Sequence, residues 1–174
     1  ETFGSNGIVS ISNSCYPMTL AVSGDGSIIV ESIKRVLGQT GSADTVVLER
    51  FSLQGSRDNS FGNNGFASTG FNQFFYGSVK LLSNGAILAA ANAADPYAGP
   101  IGIAKYTREG KPDSSFANNG KLVTSMDESE ATVKKLLVQK NGSIISAGSI
   151  LARFSAVGTP DASFATNGKI PFVF

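Results

Sequence analysis

The sequence predicts an all-β protein built from three four-stranded antiparallel sheets, and three observations support this prediction. A 15-residue segment, called the connector motif below, recurs at 51–65, 106–120 and 154–168, and residues 1–7 repeat its end. A hairpin signal lies midway between successive copies, and apolar runs of strand length fill the intervals. Internal repetition of this kind indicates the architecture before any single residue does.

The connector motif is defined by five positions. Each full copy has an aromatic residue at position 1, glycine at 5, aspartate at 8, phenylalanine at 11 and glycine at 15. The final glycines Gly7, Gly65, Gly120 and Gly168 are separated by 58, 55 and 48 residues. That period is the length of one small antiparallel sheet.

The hairpin signals are Asp-Gly or Asn-Gly pairs between apolar runs. They end at Gly26, Gly85 and Gly142. A type I′ turn needs positive φ at both central residues, and Asn, Asp and Gly tolerate this conformation. Each repeat is therefore predicted to contain a tight hairpin at its centre.

Four strands per repeat follow from the apolar runs. The predicted strands are 8–12, 18–22, 27–32 and 45–52, then 66–71, 78–82, 86–92 and 101–107, then 121–126, 132–138, 143–148 and 150–155. Several runs are apolar on both faces, which is typical of sheets covered on both sides. The repeats are predicted at 1–60, 61–115 and 116–163, and residues 164–174 supply one extra C-terminal strand.

The connector motif is long enough to join neighbouring sheets. Roughly ten residues reach about 33 Å when extended, whereas a four-stranded sheet is about 15 Å wide. The motif can therefore carry the chain from the outer edge of one sheet to the inner edge of the next, as a β-propeller requires. The predicted fold is a β-propeller segment of three four-stranded antiparallel blades plus one extra C-terminal strand.

At these residues the chain resembles a known family. The run G-x-x-D-x-S-F-(G/A)-x-x-G, preceded by an aromatic residue and followed half a period later by an Asn/Asp-Gly hairpin, is similar to the delta-sixty repeat of bacterial β-propeller proteins. The resemblance covers essentially the whole chain. It implies the propeller fold and a secreted or cell-envelope location, but no particular activity. Ala117 and Ala165 depart from the pattern, because a glycine usually stands there.

The chain is expected to be part of a larger assembly. It begins in the middle of a connector motif and without Met, and three blades do not close a ring when propellers have roughly four to eight. We expect another chain, or the remainder of a longer protein, to complete the ring.

Composition narrows the function classes. The chain has 174 residues, of which 41% are hydrophobic and 16% charged, and its net charge is +1. Because the charges are interspersed, nucleic acid is not an expected partner. Since no apolar run approaches the length of a membrane span, membrane insertion is not expected either.

The residues present favour binding over catalysis. The chain contains no histidine, which excludes Ser-His-Asp and Cys-His catalytic arrangements and His-containing zinc sites. Paired carboxylates are the remaining basis for a hydrolase. However, the acidic cluster Asp127, Glu128 and Glu130 is typical of a solvated loop. We expect a protein that is not an enzyme and that has no cofactor and no metal.

Each connector motif pairs an aspartate with a cation eight residues earlier. The aspartates are Asp58, Asp113 and Asp161, and the cations are Arg50, Lys105 and Arg153. A calcium loop needs several oxygen ligands at short spacing, whereas only one carboxylate recurs in every motif. The pattern therefore predicts aspartates that cap the turn, with the cation clamping the motif to its blade. A solvated strand end is the alternative reading of the cation.

The other recurring and isolated residues have structural interpretations. The aromatic residues at positions 1 and 11 recur in every blade, which favours a place in the core over a ligand-stacking ladder. Cys15 is the only cysteine, so no intrachain disulfide can form. It is either a small buried hydrophobe or an exposed thiol.

The loops predict where a binding site lies. Because successive strands run antiparallel, the connector motifs and hairpins share one face, and the variable loops share the other. Binding residues concentrate on loops held by a rigid scaffold, and exposed aromatic residues anchor protein or sugar partners. The candidate binding residues are Phe74, Phe75, Tyr76, Tyr97, Tyr16, Lys34 and Arg35.

Three functions are consistent with the sequence. The first is a non-catalytic scaffold or interaction module that binds protein or glycan through the variable loops. The second is a purely structural propeller segment. The third is part of a hydrolase whose acidic residues come partly from missing blades.

Overall fold

The computed structural model describes residues 2–11, 14–35, 44–72, 77–92, 100–125 and 132–171. Over these ranges the chain forms twelve strands and no helix. The strands are β1 (Cys15–Val22), β2 (Ile28–Lys34), β3 (Thr45–Phe51), β4 (Ala67–Asn72), β5 (Gly77–Leu81), β6 (Ile87–Asn92), β7 (Ile101–Tyr106), β8 (Lys121–Thr124), β9 (Val133–Val138), β10 (Ile144–Gly148), β11 (Ile150–Phe154) and β12 (Lys169–Pro171).

The strands form three four-stranded sheets, each in sequence order. The first sheet is β1-β2-β3-β4, the second is β5-β6-β7-β8 and the third is β9-β10-β11-β12. All pairs are antiparallel. These sheets confirm the predicted fold class.

The assignment of strands to sheets differs from the prediction by one strand. The connector motif joins the third and fourth strands of the same sheet, not two neighbouring sheets. Of the predicted first strand 8–12, Ile8 forms only an isolated bridge with Ser5. The predicted C-terminal strand is present as β12, but it pairs with β11 and completes the third sheet. The repeat boundaries at 60, 115 and 163 therefore fall inside sheets.

The reason is that the connector motif folds back instead of extending. Its aspartate amide donates to the carbonyl of the cation eight residues earlier, for example from Asp58 to Arg50 at 2.8 Å. A bridge such as Phe51 to Arg57 reinforces the reversal in each copy. The motif thus returns the chain beside the strand it has just left. The motif is long enough either to reach the next sheet or to return to its own, but its hydrogen-bonded turn selects the return.

The central hairpins form where they are predicted, with a different turn. In the first hairpin the amide of Ser23 donates to the carbonyl of Ser27, which leaves a three-residue loop. Only the last residue of that loop, Gly26, has a positive φ (82°). A type I′ turn needs positive φ at both central residues, so the prediction of that turn type was wrong. A glycine that ends a three-residue loop is the next most common hairpin solution.

Two apolar layers hold the sheets together. One core lies between the first and second sheets and contains Leu48, Phe61 and Ile87. The other lies between the second and third sheets and contains Leu88 and Phe116. The middle sheet is covered on both faces, so all six residues of β6 are buried. This explains why its sequence, ILAAAN, lacks an alternating pattern.

The sheets are arranged like the blades of a propeller. The first strands β1, β5 and β9 contact one another in succession, so they lie along a common inner line. The strand ends that carry the hairpins and the connector motifs lie at one face of this arrangement, called the constant face below. The opposite strand ends lie at the other face, called the variable face.

Candidate functional site

The connector motif forms the same ion pair in each sheet. Arg50 lies 2.6 Å from Asp58, Lys105 lies 3.0 Å from Asp113, and Arg153 lies 2.8 Å from Asp161. The cation also lies over the phenylalanine at position 11, with Arg50 5.1 Å from the ring centroid of Phe61. The clamp expected from the eight-residue spacing is therefore present three times.

The second oxygen of each aspartate stabilises the turn that follows it. Oδ1 accepts hydrogen bonds from the amide and the hydroxyl of a serine two residues later, at 2.9 and 2.6 Å for Asp58 and Ser60. These bonds, led by the Ser60 hydroxyl, lower the pKa of Asp58 to about 2. The pKa values of Asp113 and Asp161 are lowered by the matching serines. The carboxylates are thus structural ligands of their own loops.

Replacing one clamp aspartate tests its contribution. We expect Asp113→Ala to lower the free energy of unfolding by about 1 kcal/mol, by analogy with side-chain caps. The control is Ser114→Ala, which changes an exposed neighbour in the same turn. Urea unfolding of both variants measures the difference. Equal stability of the two variants would contradict a capping role for Asp113.

A second repeated contact joins neighbouring sheets, and we call it the latch. The residue after the position-11 phenylalanine donates its amide to a carbonyl in the next connector motif. The three bonds run from Gly4 to Gln54, from Gly62 to Glu109 and from Ala117 to Val157, each at 2.8 Å. The phenylalanine ring packs over the glycine beside that carbonyl. A Cβ placed at Gly158 would lie 2.7 Å from Cζ of Phe116.

The latch explains why position 5 is glycine. Gly55, Gly110 and Gly158 have φ values of 80°, 80° and 84°. Residues with a side chain rarely adopt this backbone conformation, and a Cβ at Gly110 would lie 2.8 Å from the Phe61 ring. Ala117 and Ala165, the departures from the repeat, also have positive φ (44° and 49°). They keep the backbone conformation of the usual glycine at some cost in strain.

The variable face holds three candidate binding residues that the structure describes. Tyr16, Lys34 and Arg35 lie at the end of the β1–β2 pair, where Cys15 pairs with Lys34. The other four, Phe74, Phe75, Tyr76 and Tyr97, lie outside the described residues.

Tyr16 and Arg35 form an exposed stacked pair. The Arg35 guanidinium lies 5.2 Å from the centroid of the Tyr16 ring. Tyr16 is 47% exposed, and Arg35 also contacts Asp44 at 3.6 Å. An aromatic ring with an adjacent guanidinium offers an apolar surface and planar donors together. This pair can therefore contact a sugar ring or a protein side chain.

Lys34 belongs to a different cluster, on the outward face of the first sheet. Its ammonium lies 3.7 Å from the Phe66 ring centroid, and the Arg57 guanidinium lies 3.9 Å from the same centroid. Arg57 pairs with the buried carboxylate of Glu49 at 3.2 Å. Burial raises the pKa of both Glu49 and Cys15. Cys15 is buried beside this cluster, which favours the first of its two interpretations.

Glu31 is a buried carboxyl that sequence reasoning missed. It is 0% exposed and lies between the first and second sheets near Met18, Gly77 and Tyr106. Within the described part of the chain neither carboxyl oxygen has a hydrogen-bond partner. Burial raises the pKa of Glu31 to about 8, so the group is largely neutral at pH 7. The signal was an acidic residue inside IIVES, a run that is apolar on both faces.

A cleft opens on the constant face between the first two sheets. Its volume is about 510 Å³, with Ile29 and Ile87 at its base. At its rim Arg108 bonds Asp25 at 2.6 Å and thereby bridges the two sheets. The matching positions at the next interface are Asn84 and Ala156, so the bridge is not part of the repeat.

Comparison of the sequence with protein-family models and with curated proteins finds no match. Over the described residues no group of three or more Cys, Asp or Glu side chains is arranged to hold a metal ion. None of the described segments forms a helix long and apolar enough to cross a membrane.

Proposed function

We propose that the chain is a non-catalytic β-propeller scaffold and interaction module that binds protein or glycan through its variable loops. One observation carries this proposal: the constant face repeats one clamp three times, whereas the variable face presents the exposed Tyr16–Arg35 pair. Residues repeated in every sheet support the scaffold. Residues found once, at the strand ends and loops held by that scaffold, are the ones free to recognise a partner.

The chemistry of the pair fits a neutral sugar or a polar protein surface. Tyr presents a rigid amphipathic ring at a low entropic cost, and Arg presents planar donors that match carboxylate and carbonyl oxygens. The candidates Phe74, Phe75, Tyr76 and Tyr97 follow β4 and β6, which end at the same face.

The resemblance to the delta-sixty repeat adds two parts to the proposal. The first is that the protein is exported or resides in the cell envelope. The second is that further sheets, from another chain or from a longer protein, complete the ring. The clamp and the latch support the proposal of a ring. The clamp holds each sheet to its own connector turn, and the latch joins each sheet to the next.

Loss of binding in one matched pair of variants tests the interaction surface. We expect Arg35→Ala to weaken retention on a glycan array or in a pull-down by about tenfold, as removal of an anchor at an interface does. Lys140→Ala is the control, since it removes the same charge from an exposed hairpin of the constant face. Equal loss in both variants would mean that net charge, not this surface, determines binding.

A protein with no ligand in either assay would favour the purely structural alternative. Hydrolysis of a glycoside by the chain within its complete ring would favour the hydrolase alternative.

A further inference from the structure

The outward face of the third sheet repeats positions that are buried in the other two sheets. Three positions on each sheet face the sheet that follows it. In the first two sheets these residues are 0–2% exposed, and they are Ile29, Leu48 and Phe61, then Leu88, Ile103 and Phe116. The corresponding residues of the third sheet, Ile145, Leu151 and Phe164, are only half-buried.

The same face carries one half of a latch. Phe164 and Ala165 occupy the places of Phe116 and Ala117 in the third connector motif, and Ala165 keeps the positive φ of the donor residue (49°). Across the described ranges no turn packs on Phe164 as 155–158 packs on Phe116, and no carbonyl receives the Ala165 amide. The donor half is therefore formed but has no acceptor among these residues.

The matching acceptor half lies at the other end of the chain. The turn 52–55 of the first connector motif offers the Gln54 carbonyl and Gly55, as later motifs offer Glu109 with Gly110 and Val157 with Gly158. Residues of the N-terminal segment fill it, because Gly4 bonds Gln54 and both Val9 and Phe3 lie over Gly55. However, Phe3 is 37% exposed, whereas Phe61 and Phe116 are fully buried in their latches. Phe3 is thus less enclosed in its latch than the internal rings are, and Val9 covers the rest of the Gly55 turn.

We propose that the third sheet docks head-to-tail on the first sheet of a second copy of this chain. Phe164 and Ala165 of one copy would take the Gly55 turn of the other in place of Phe3, Gly4 and Val9. This deepens the ring-completion part of the proposed function and rests on it. The partner is identified by continuity, since the chain makes this interface internally between its own sheets.

The proposed contact is heterologous, because it joins two different surfaces of one chain. Such contacts generate rings when the rotation between copies closes. Two copies with three sheets each give a ring of six, inside the range of roughly four to eight blades found in propellers. The open donor half of the second copy then meets the acceptor half of the first, so a dimer satisfies both.

Light scattering across a range of concentrations tests the association. We expect the 174-residue chain to pass from 18.0 kDa to twice that mass as concentration rises. Phe164→Ala should raise the dissociation constant at least about tenfold, as loss of an aromatic anchor does, and Leu151→Lys should do the same. Leu20→Ala, which removes an exposed apolar side chain from β1, is the control and should leave the constant unchanged. A chain that stays monomeric, or a dimer that survives both third-sheet variants, would overturn the proposal.

A crosslink tests the orientation. Ala165→Cys and Gln54→Cys are made in separate chains and mixed, because the equivalent internal pairs are joined by a hydrogen bond of 2.8 Å. We expect a disulfide between the two variants, and none in a mixture of wild type with either. A disulfide that forms only between two Ala165→Cys chains would show head-to-head contact and overturn the proposed head-to-tail arrangement. Arg35→Ala should not affect the crosslink, so failure here is distinguishable from failure of the binding function.

Discussion

Glu31→Gln is expected to make the protein more stable at pH 8, on the order of 4 kcal/mol, and to leave its stability at pH 4 within about 1 kcal/mol of the wild type. Glu31 lies in the apolar interface of the first two sheets, and its carboxyl oxygens have no partner among the described residues. Ionising such a group costs free energy that nothing nearby returns. The amide cannot ionise, so the variant avoids that cost.

The direction follows from the two pKa values. Glu31 titrates near 4.5 in the unfolded chain and at about 8 in the folded protein. A folded state with the higher pKa binds more protons between these values, so the contribution of Glu31 to stability is greatest below pH 4.5 and falls as the pH rises toward 8. The loss is about 1.4 kcal/mol per pH unit inside this window. Among the described residues, Tyr106 is the other titratable group that faces Glu31; burial raises its pKa, so it does not ionise in this window.

Urea unfolding at several pH values between 4 and 8.5 measures the effect, and Glu49→Gln is the contrasting control. Glu49 is also buried, but its carboxylate is paired with Arg57. Removing one partner of a buried pair leaves the other charge uncompensated, so this variant should be less stable than the wild type. If Glu31→Gln is no more stable than the wild type at pH 8, the carboxyl has a partner or the solvent reaches it.

Local chemistry in the sequence predicted the twelve observed strands, the hairpin positions and the clamp, whereas the strand predicted at 8–12 shows only an isolated bridge at Ile8. Each depends on residues close in the chain: an apolar run, an Asn-Gly pair, or a cation eight residues before an aspartate such as Asp58. Residues this close in the chain contact each other regardless of how the sheets pack. Even so, the predicted type of the turn at Gly26 was wrong, because two-residue and three-residue hairpin loops carry the same Asp-Gly signal.

Contacts between repeats could not be predicted in the same way. The recurring Phe at position 11 and Gly at position 5 are visible in the sequence, but nothing in it says that Phe61 packs on Gly110 and not on its own Gly55. The choice depends on how the connector motif turns, which also decides the sheet to which β4 and β12 belong. The burial of Glu31 depends on the same packing, since the second sheet is what covers it.

Phe116→Ala should be strongly destabilising, with an expected loss of about 3–5 kcal/mol in the free energy of unfolding. The ring is fully buried, belongs to the core between the second and third sheets, and packs over Gly158. Removal of the ring leaves a cavity in this core. It also removes the apolar contact of one latch. A backbone hydrogen bond from Ala117 remains, but a neutral bond of this kind contributes only about 1 kcal/mol.

Phe164→Ala provides a matched control in the same chain, because it changes the same residue type at the same position of the motif. Phe164 has a cation above its ring, Arg153 at 4.7 Å, as Phe116 has Lys105 at 5.9 Å. It differs in being half-buried, without a following turn among the described residues. Its loss should therefore cost under about 1.5 kcal/mol, in line with the smaller apolar area it buries.

The comparison must be made on unfolding curves measured at concentrations too low for association, since Phe164 is also the proposed anchor between copies. Under that condition the difference between the variants isolates the latch, because the clamp, the turn and the aromatic residue are common to both. A cost for Phe164→Ala equal to that for Phe116→Ala would show that each phenylalanine stabilises its own motif alone. The sheets would then be held together by their apolar faces without help from the latch.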